Sequence, residues 1–376
     1  MQKDYRKIFR TWSEIDARAL RRNAESFLRL IPPDTRLMAV IKSNAYGHGL
    51  VHAAHALEHL PRISFGVDSI TEALRLRREG IQNPILVLGF TLASRMQEAV
   101  QQHIMLTVST MDALKVVGTL KRRPAIHIKI DTGMHRQGFF PADVPSVVRL
   151  LKYFNIKPAG IFTHFASAKD PADRAYTEKQ LAIFRGVISE MERAGYGDMV
   201  RHAAASGGTL LFPESHLDMV RVGMGLYGYW PSPESYRKKI ILKPVLTWKT
   251  IVSEVKSIPK GVLVGYDGTE RVRRPTRMAV LSVGYWHGVD RGLSGKGEAL
   301  IRGQRAKMLG RISMDMTAVD VTDIPKVKQG DEVILIGGTG THAIFADEIA
   351  EKIQTTAYEV LTRINPLIRR IVIHDQ

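Results

Sequence analysis

Residues 37–68 read LMAVIKSNAYGHGLVHAAHALEHLPRISFGVD. This segment predicts a strand, a loop, a helix and a second strand, in that order. Residues 37–42 and 63–68 are apolar runs of strand length, and residues 50–60 have the periodicity of a helix. Small polar residues and glycines before the helix indicate a tight loop, which contains Tyr46. The segment therefore predicts one β/α unit of a parallel sheet.

Lys42 stands at the C-terminal end of the first strand, directly after the apolar run. Burial disfavours the charged form of a lysine and lowers its pKa. A lysine with a lowered pKa is nucleophilic enough to react with an aldehyde cofactor. The alternative is a lysine at the end of a strand whose amine simply reaches water.

The same unit recurs as far as residue 223. Eight strand candidates are found, at residues 37–42, 63–68, 84–89, 104–109, 125–131, 158–164, 200–206 and 217–223. Helical periodicity lies between them, for example at residues 50–60, 70–80, 111–120 and 176–194. Strands that alternate with helices indicate a parallel sheet, and eight such units predict an α/β fold, a closed (β/α)8 barrel of the TIM type. A doubly wound open sheet is the alternative, although it normally uses fewer strands.

The pattern changes in the last third of the chain. Residues 241–340 are rich in β-branched residues and turn signals and show no helical stretch, which predicts a mainly antiparallel β domain. One helix, at residues 345–361, is expected to close it. We therefore predict two domains, a barrel over residues 1–235 and a β domain over residues 236–376.

Composition limits the class of protein. The chain has 376 residues, 44% of them hydrophobic, and no cysteine. It is long enough to bury the cores of two domains, and disulfides and cysteine nucleophiles are excluded. No His, Asp and Glu residues have metal-ligand spacing, so metal catalysis is not expected. The absence of a signal sequence and of an apolar run of membrane-spanning length predicts a cytoplasmic protein without a membrane partner.

The formal net charge is +17 and the pI is near 10.0. Basic clusters at residues 75–78, 121–123, 237–239 and 271–277 raise the alternative of a nucleic-acid-binding protein. Acidic residues separate the clusters, however, and no nucleic-acid-binding motif accompanies them. We expect a solvated basic surface that attracts anionic small molecules, and no nucleic-acid partner.

Polar residues collect at the C-terminal ends of the predicted strands, where the active sites of (β/α)8 barrels lie. In chain order they are Lys42, Tyr46, Lys129, Asp131, Arg136, His164, Ser206, Arg221, Gly223 and Met224. The loops after the last two strands suit a phosphate, because small residues let backbone N–H groups approach an anion. Each feature alone has an ordinary explanation: a lone histidine is often a core residue, and turns need glycine.

Together with the lysine segment, six further motifs resemble those of alanine racemases over nearly the whole chain. They are KIDTGMHR at 129–136, THFAS at 163–167, VRVG at 220–223, VGY at 283–285, GRISMD at 310–315 and YEVL at 358–361. The fold of that family, a barrel followed by a β domain, agrees with the pattern described above. The resemblance implies a racemase that uses pyridoxal 5'-phosphate to interconvert L- and D-alanine and supplies D-alanine for peptidoglycan. It also implies a homodimer with shared active sites.

The resemblance also assigns roles to individual residues. Lys42 would hold the cofactor and act as one of two bases, and Tyr285, in the second domain, would be the other base in the active site of the partner subunit. Two bases suit racemisation because a proton leaves one face of Cα and another returns to the opposite face. A chain of Tyr285, His164 and Arg221 would lower the tyrosine's pKa, which is ordinarily near 10. Arg221 would also contact the pyridine nitrogen, to which a guanidinium does not readily give a proton.

Further roles concern the substrate and the phosphate. Arg136 would contact the substrate carboxylate or the cofactor's ring oxygen, and Lys129 beside it would be carbamylated, which avoids the repulsion of two neighbouring cations. The backbone of Met314 would meet the substrate carboxylate, and core packing is the alternative for this residue. The cofactor phosphate is expected to contact Tyr46, Ser206, Gly223, Met224 and Tyr358.

The chain departs from the family pattern at three places. Residues 284–288 read GYWHG where relatives commonly have GYADG, Ala205 replaces an asparagine, and RRIVI at 369–373 replaces an aromatic ending. These changes leave open a racemase of broad specificity, or one that prefers serine or lysine. A non-catalytic pyridoxal-phosphate-binding protein is a further alternative, but it would resemble the barrel alone, and the second domain with Tyr285 opposes it.

Overall fold

The computed structural model describes residues 4–170, 174–230, 240–340 and 342–374. The chain divides into two compact units, one of Ala19–Ala45 with Leu50–Lys243 and the other of Met1–Arg18, Tyr46–Gly49 and Pro244–Gln376. The first strand, β1 (Thr11–Asp16), thus groups with the second unit. The predicted domain boundary between residues 235 and 236 lies outside the described residues.

Eight parallel strands close into a barrel in the first unit, which confirms the predicted fold. They are β2 (Arg36–Val40), β3 (Ile63–Val67), β4 (Ile85–Val87), β5 (Ile104–Val108), β6 (Ile126–Lys129), β7 (Gly160–Phe162), β8 (Val200–Ala205) and β9 (Met219–Val222). The barrel closes where Leu37 of β2 pairs with Ile63 on one side and with Val220 of β9 on the other. Each strand overlaps its predicted range, and the polar residues at the C-terminal ends of those ranges lie mostly in the loops that follow.

Helices connect these strands. They are α1 (Ala17–Leu30), the left-handed turn α2 (Lys42–Tyr46), α3 (Leu50–Leu57), α4 (Ile70–Arg78), α5 (Met96–Gln101), α6 (Met111–Thr119), α7 (Val144–Tyr153), α8 (Arg174–Arg193) and α9 (Ser206–Leu211). The longest, α8, buries Leu181, Phe184, Ile188 and Met191, whose spacing of three and four residues places them on one face. Over the residues that are described, no helix has both the length and the hydrophobicity that crossing a membrane requires.

A mainly antiparallel sheet forms the second unit, as predicted. Its strands are β1 with β10 (Leu246–Ile258), β13 (Thr276–Leu281), β14 (Glu298–Ile301), β15 (Gln304–Leu309), β16 (Thr317–Asp320), β17 (Glu332–Thr339), β18 (His342–Ile344) and β19 (Arg369–Ile373), and β11 (Leu263–Val264) and β12 (Glu270–Arg271) make a separate ribbon. The long β10 pairs with β1, β13 and β17. The pairing of β1 with β19 is parallel and joins residues far apart in the chain.

The single helix predicted at residues 345–361 is wrong, because the segment forms two helices, α10 (Ala346–Lys352) and α11 (Ala357–Thr362). Gln354 has a left-handed φ of 58° and ends the first helix. The N–H of Thr355 then donates to the carbonyl of Ala350 at 2.9 Å, the bond that closes a Schellman cap. Thr356 is extended and precedes the second helix.

Candidate active site

Lys42 follows the C-terminal end of β2, at the edge of the barrel where the sequence predicts it. Its Nζ lies 3.0 Å from Oδ1 of Asp68, which follows β3. The Lys42 side chain is 37% exposed in the single chain, so it is less buried than the sequence predicts, because it begins the loop and does not end the strand. The amine is therefore held by an ion pair and remains accessible.

The loop after β2 is one turn of left-handed helix. Residues 43–46 all have φ between 52° and 55°, a conformation that costs roughly 1–2 kcal/mol for each L-residue. Hydrogen bonds hold the turn: the side-chain oxygen of Asn44 accepts the N–H of Leu50 at 3.0 Å, and the N–H of Ala45 donates to the carbonyl of Ile41 at 2.8 Å. The backbone next to the lysine is thus strained but anchored, as is common at functional sites.

Arg221, in β9, is a buried cation, and none of its hydrogen-bond partners in the described chain is a carboxylate. It is 3% exposed and donates to the carbonyls of Thr163 at 2.7 Å and Ala203 at 2.8 Å. It also donates to Nδ1 of His202 at 2.9 Å and Nδ1 of His164 at 3.2 Å. Burial lowers the pKa of Arg221 to about 9, which leaves it charged at neutral pH. Because a buried charge with neutral partners is costly, this arrangement suits a ligand-binding site better than a purely structural one.

The bond from Arg221 determines the form of His164. An arginine only donates, so Nδ1 of His164 accepts and its proton resides on Nε2. Burial lowers the pKa of His164 well below its ordinary value, and the neighbouring Arg221, Arg136 and Lys129 lower it further. His164 is therefore a neutral imidazole that can donate from Nε2.

Two further histidines, which the sequence analysis missed, continue this network. His202 accepts from Arg221 at Nδ1, so its Nε2 carries the proton and donates to Nδ1 of His127 at 2.8 Å. Burial lowers the pKa of His127 to about 4 and that of His202 well below its ordinary value. Gly160 makes room for the pair, because a Cβ on it would lie 2.3 Å from Nδ1 of His127. The sequence did contain one indication that His127 belongs to the site. His127 lies in β6 two residues before Lys129, and side chains two residues apart share a face of the strand.

Asp131 shapes the loop that carries Arg136. Its Oδ1 accepts the N–H groups of Gly133, Met134 and His135 at 2.9–3.0 Å, and its Oδ2 accepts that of Arg136 at 3.0 Å. These bonds lower the pKa of the carboxyl despite the opposing effect of burial. Asp131 therefore acts as a fixed anion that holds the loop.

Lys129 and Arg136 line the same small depression, together with His164. Lys129 is 6% exposed. Burial lowers its pKa to about 8, and the positive charges of Arg221 and Arg136 contribute to the shift. The side-chain oxygen of Gln137, 3.4 Å from Nζ, is a weak partner for such a buried cation.

The structure brings together the barrel residues predicted to bind a phosphate. Ser206 follows β8, and its Oγ accepts the N–H groups of Gly223 at 3.0 Å and Gly225 at 3.4 Å after β9. Met224 lies between these glycines and is 1% exposed. Backbone donors thus converge on one hydroxyl at the C-terminal edge of the barrel.

Tyr285 and Met314 lie side by side in the second unit. The N–H of Tyr285 donates to the carbonyl of Ser313, and the N–H of Trp286 donates to that of Met314, both at 3.0 Å. The three large side chains Tyr285, Trp286 and Met314 are 43%, 56% and 54% exposed. Core packing, the alternative for Met314, is therefore excluded for the single chain.

Tyr46 and Tyr358, both predicted to contact the phosphate, pack against each other in the second unit with ring centroids 5.9 Å apart. Burial raises the pKa of Tyr358. Arg370, in the segment that departs from the family pattern, donates to the carbonyl of Gly47 at 3.0 Å and to that of Asn365 at 2.6 Å. Arg370 thus fixes the loop next to Tyr46, a role that the sequence analysis did not identify.

The charged side chains of the barrel site are mostly cations. They are Lys42, Lys129, Arg136 and Arg221, whereas the carboxylates of Asp68 and Asp131 are engaged as described above. In the described ranges no group of three or more His, Asp or Glu side chains could hold a metal ion. The site therefore favours an anionic ligand.

Comparisons with known proteins agree on one family. The model for the N-terminal domain of alanine racemase matches residues 15–231, and that for the C-terminal domain matches residues 245–372. A relative named alanine racemase from Desulfosudis oleivorans is 41% identical over 96% of each chain. One from Methylacidiphilum infernorum is 38% identical over 96% of this chain and 92% of its own.

Solved structures give the same result. An alanine racemase from Clostridium difficile 630 superimposes with a TM-score of 0.91 at 32% identity, over 97% of this chain and 96% of that one. The alanine racemase from Bacillus anthracis with bound L-Ala-P gives a TM-score of 0.90 at 33% identity, over 97% and 95% of the two chains. The two domain models match in the expected order, and the relatives and solved structures cover nearly the whole chain. The chain therefore belongs to the alanine racemase family of enzymes.

Proposed function

We propose that the protein is a racemase that uses pyridoxal 5'-phosphate to interconvert L- and D-alanine, with Lys42 and Tyr285 of the partner subunit as its two bases. The observation that carries the proposal is the buried Arg221, which contacts His164, His202 and two carbonyls and has no carboxylate partner in the described barrel. Together with the accessible amine of Lys42, it supports a site for an anionic cofactor with a carbonyl group and a ring nitrogen.

The residues present fit this cofactor. Lys42 would hold its aldehyde carbon, and an N–H group of Arg221 would contact its ring nitrogen. The phosphate would contact Ser206 and the backbone at Gly223 and Met224, with Tyr46 and Tyr358 as further contacts. When bound, pyridoxal phosphate withdraws electrons from the substrate and makes the Cα proton acidic.

The chain's own groups would then move the proton. The amine of Lys42 would take or return a proton on one face of the substrate Cα, and the phenol oxygen of Tyr285 would do so on the other face. His164 would donate from Nε2 to that phenol oxygen and so favour its deprotonated form. Arg221 keeps its proton at neutral pH, so the ring nitrogen would remain unprotonated, and side reactions such as transamination would be restrained.

Arg136 and the backbone of Met314 would bind the substrate carboxylate. Lys129 is suited to carbamylation, because its lowered pKa increases the fraction of neutral amine that reacts with carbon dioxide. The neutral amine nitrogen would form a bond to the carbon of carbon dioxide while one carbon–oxygen π bond opens onto its oxygen. The nitrogen would then release one proton to water, and the resulting carbamate anion would pair with Arg136. The absence of a protein-bound carbamate signal in the carbon-13 NMR spectrum of the protein in carbon-13-labelled bicarbonate would contradict this part of the proposal.

The two-base arrangement requires a homodimer. Support comes from the three large exposed side chains Tyr285, Trp286 and Met314, which lie on two loops joined by backbone hydrogen bonds and suit coverage by a second copy. We further propose that the enzyme acts in the cytoplasm and supplies D-alanine for peptidoglycan.

A wider or different substrate range, such as serine or lysine, is the second candidate, because Trp286 and His287 differ from the residues common in relatives. Rates measured across amino acids would separate the two. If alanine reacted much more slowly than another amino acid, that amino acid would replace it as the proposed substrate.

The decisive experiment is incubation of the cofactor-loaded protein with L-alanine in deuterium oxide, followed by chiral analysis and mass spectrometry. We expect D-alanine with deuterium at Cα. Exchange without inversion would contradict the role of Tyr285. No exchange, despite a bound cofactor, would contradict alanine as the substrate.

A further inference from the structure

The turn that carries Tyr285 is held by an unusual acceptor. Residues Tyr285–His287 form a short 3-10 turn, and the N–H of Gly284, just before it, donates to Nδ1 of His287 at 3.2 Å. A side chain at the third position of a helical turn that accepts from the preceding N–H is half of a capping box, a role usually filled by Glu or Gln. An imidazole nitrogen accepts only when it carries no proton. The ring of His287 must therefore be neutral, with its proton on Nε2.

Other contacts hold the rest of the turn through its backbone. Tyr285 and Trp286 donate their N–H groups to the loop at Ser313 and Met314. On the opposite side, Asn365 donates from its backbone to the carbonyl of His287 at 3.1 Å and from its side chain to that of Trp286 at 3.0 Å. None of these bonds involves the N–H of Gly284, which depends on the imidazole.

We propose that His287 is a positioning residue for Tyr285, and that its neutral ring holds the turn while its protonated ring releases the N–H of Gly284. The inference rests on the proposed role of Tyr285 as a base. It makes the orientation of that base sensitive to pH through a residue that does not touch the substrate.

The charged groups around His287 determine the pH at which its ring becomes protonated. Burial lowers the pKa of the ring, Asp315 in the facing loop opposes the shift, and Arg10 in the N-terminal segment adds to it. Asp315 lies 3.9 Å from Nδ1 and would attract the proton of a charged ring. Three residues after His287 in its own loop, Asp290 is already paired with Arg363 at 2.6 Å. The cap is therefore intact at neutral pH and is lost below the ordinary histidine value.

Two variants separate the hydrogen bond from the charge. His287→Asn keeps an acceptor that does not titrate, and His287→Ala removes the acceptor. Because each variant affects one hydrogen bond, we expect the protection of the Gly284 amide and the turnover to change by about threefold to tenfold. Hydrogen exchange measured by mass spectrometry reports on the turn, and the N–H of Gly292, which donates to Asp290 Oδ1 at 2.7 Å without a histidine, serves as an internal control.

In the full-length, cofactor-loaded protein, we measure how well the Gly284 amide is protected from hydrogen exchange, corrected for the intrinsic exchange rate. We expect this protection to fall as the pH drops below the ordinary pKa of histidine. His287→Asn should remove this fall, and in His287→Ala the protection of the Gly284 amide should be about threefold to tenfold lower than in the wild type at neutral pH and independent of pH. The ratio of wild-type to His287→Asn turnover should fall over the same range. Superimposable exchange profiles for the wild type and both variants would overturn the proposal. Absence of alanine racemisation would instead contradict the proposed function, since the exchange measurement does not depend on turnover.

Discussion

Replacing Lys129 with methionine is expected to stabilise the folded protein at neutral pH. The side chain is 6% exposed, and burial lowers its pKa from 10.5 to about 8, with help from Arg221 and Arg136. This difference corresponds to about 3 kcal/mol by which protonated Lys129 destabilises the folded state. Methionine has a similar length and carries no charge, so the variant should recover up to about 3 kcal/mol at pH 7.

The free energy of unfolding of the wild type should depend on pH in a definite direction. Between pH 8 and 10.5 the lysine binds a proton in the unfolded chain but not in the folded one, so the free energy of unfolding of the wild type rises with pH in this window. The variant lacks this rise. Its advantage should therefore be full below pH 8 and should disappear as the pH approaches 10.5.

Urea unfolding of both proteins from pH 6.5 to 10, in buffers free of carbon dioxide, would measure the effect. Lys152→Met, at an exposed position, is the control and should change the free energy of unfolding by less than about 0.5 kcal/mol at any pH. A constant difference between the wild type and Lys129→Met across this range would refute the reasoning. If Lys129 is carbamylated, added bicarbonate should stabilise the wild type but not the variant.

Three further substitutions and one control substitution test the site and its support. Lys42→Ala should abolish the absorption band of the lysine-bound cofactor, and retention of the band would place the cofactor on another lysine. Tyr285→Phe should keep this band but reduce racemisation severely in at least one direction, and near-normal rates in both would remove Tyr285 from its role. Gly160→Ala should reduce the free energy of unfolding by about 1–3 kcal/mol, because the new methyl group would lie 2.3 Å from Nδ1 of His127. Gly186→Ala, at a helical position with nothing within 4 Å, should instead stabilise by about 0.5–1 kcal/mol, and equal effects would contradict the argument.

Features encoded by local patterns were predictable. The eight barrel strands follow from apolar runs separated by helical periodicity, and the C-terminal edge of such a barrel indicates where Lys42, His164 and Arg221 lie. Features that depend on distant partners were not predictable in this way. Nothing near residues 11–16 reveals a strand whose partners begin more than 200 residues later.

Backbone conformation at the site was also hidden. The sequence SNAY at 43–46 contains no glycine, so four consecutive residues with positive φ could not be expected from it. The two histidines behind Arg221 occupy ordinary strand positions, and only their tertiary neighbours show that they form a chain. The break between α10 and α11 likewise depends on a left-handed Gln354, a residue type with no special preference for that conformation.

The pairing of β1 with β19 has a consequence for synthesis of the protein. Residues Thr11–Asp16 leave the ribosome early, but their parallel partner Arg369–Ile373 is made some 350 residues later, which takes roughly 20 to 70 s at ordinary translation rates. Their other partner, β10, arrives after most of the barrel has been made. Trp12 and Ile15, the two large apolar residues of this strand, therefore lack their sheet partners during most of translation. The nascent barrel can therefore fold first, while the sheet is completed only near the end of translation.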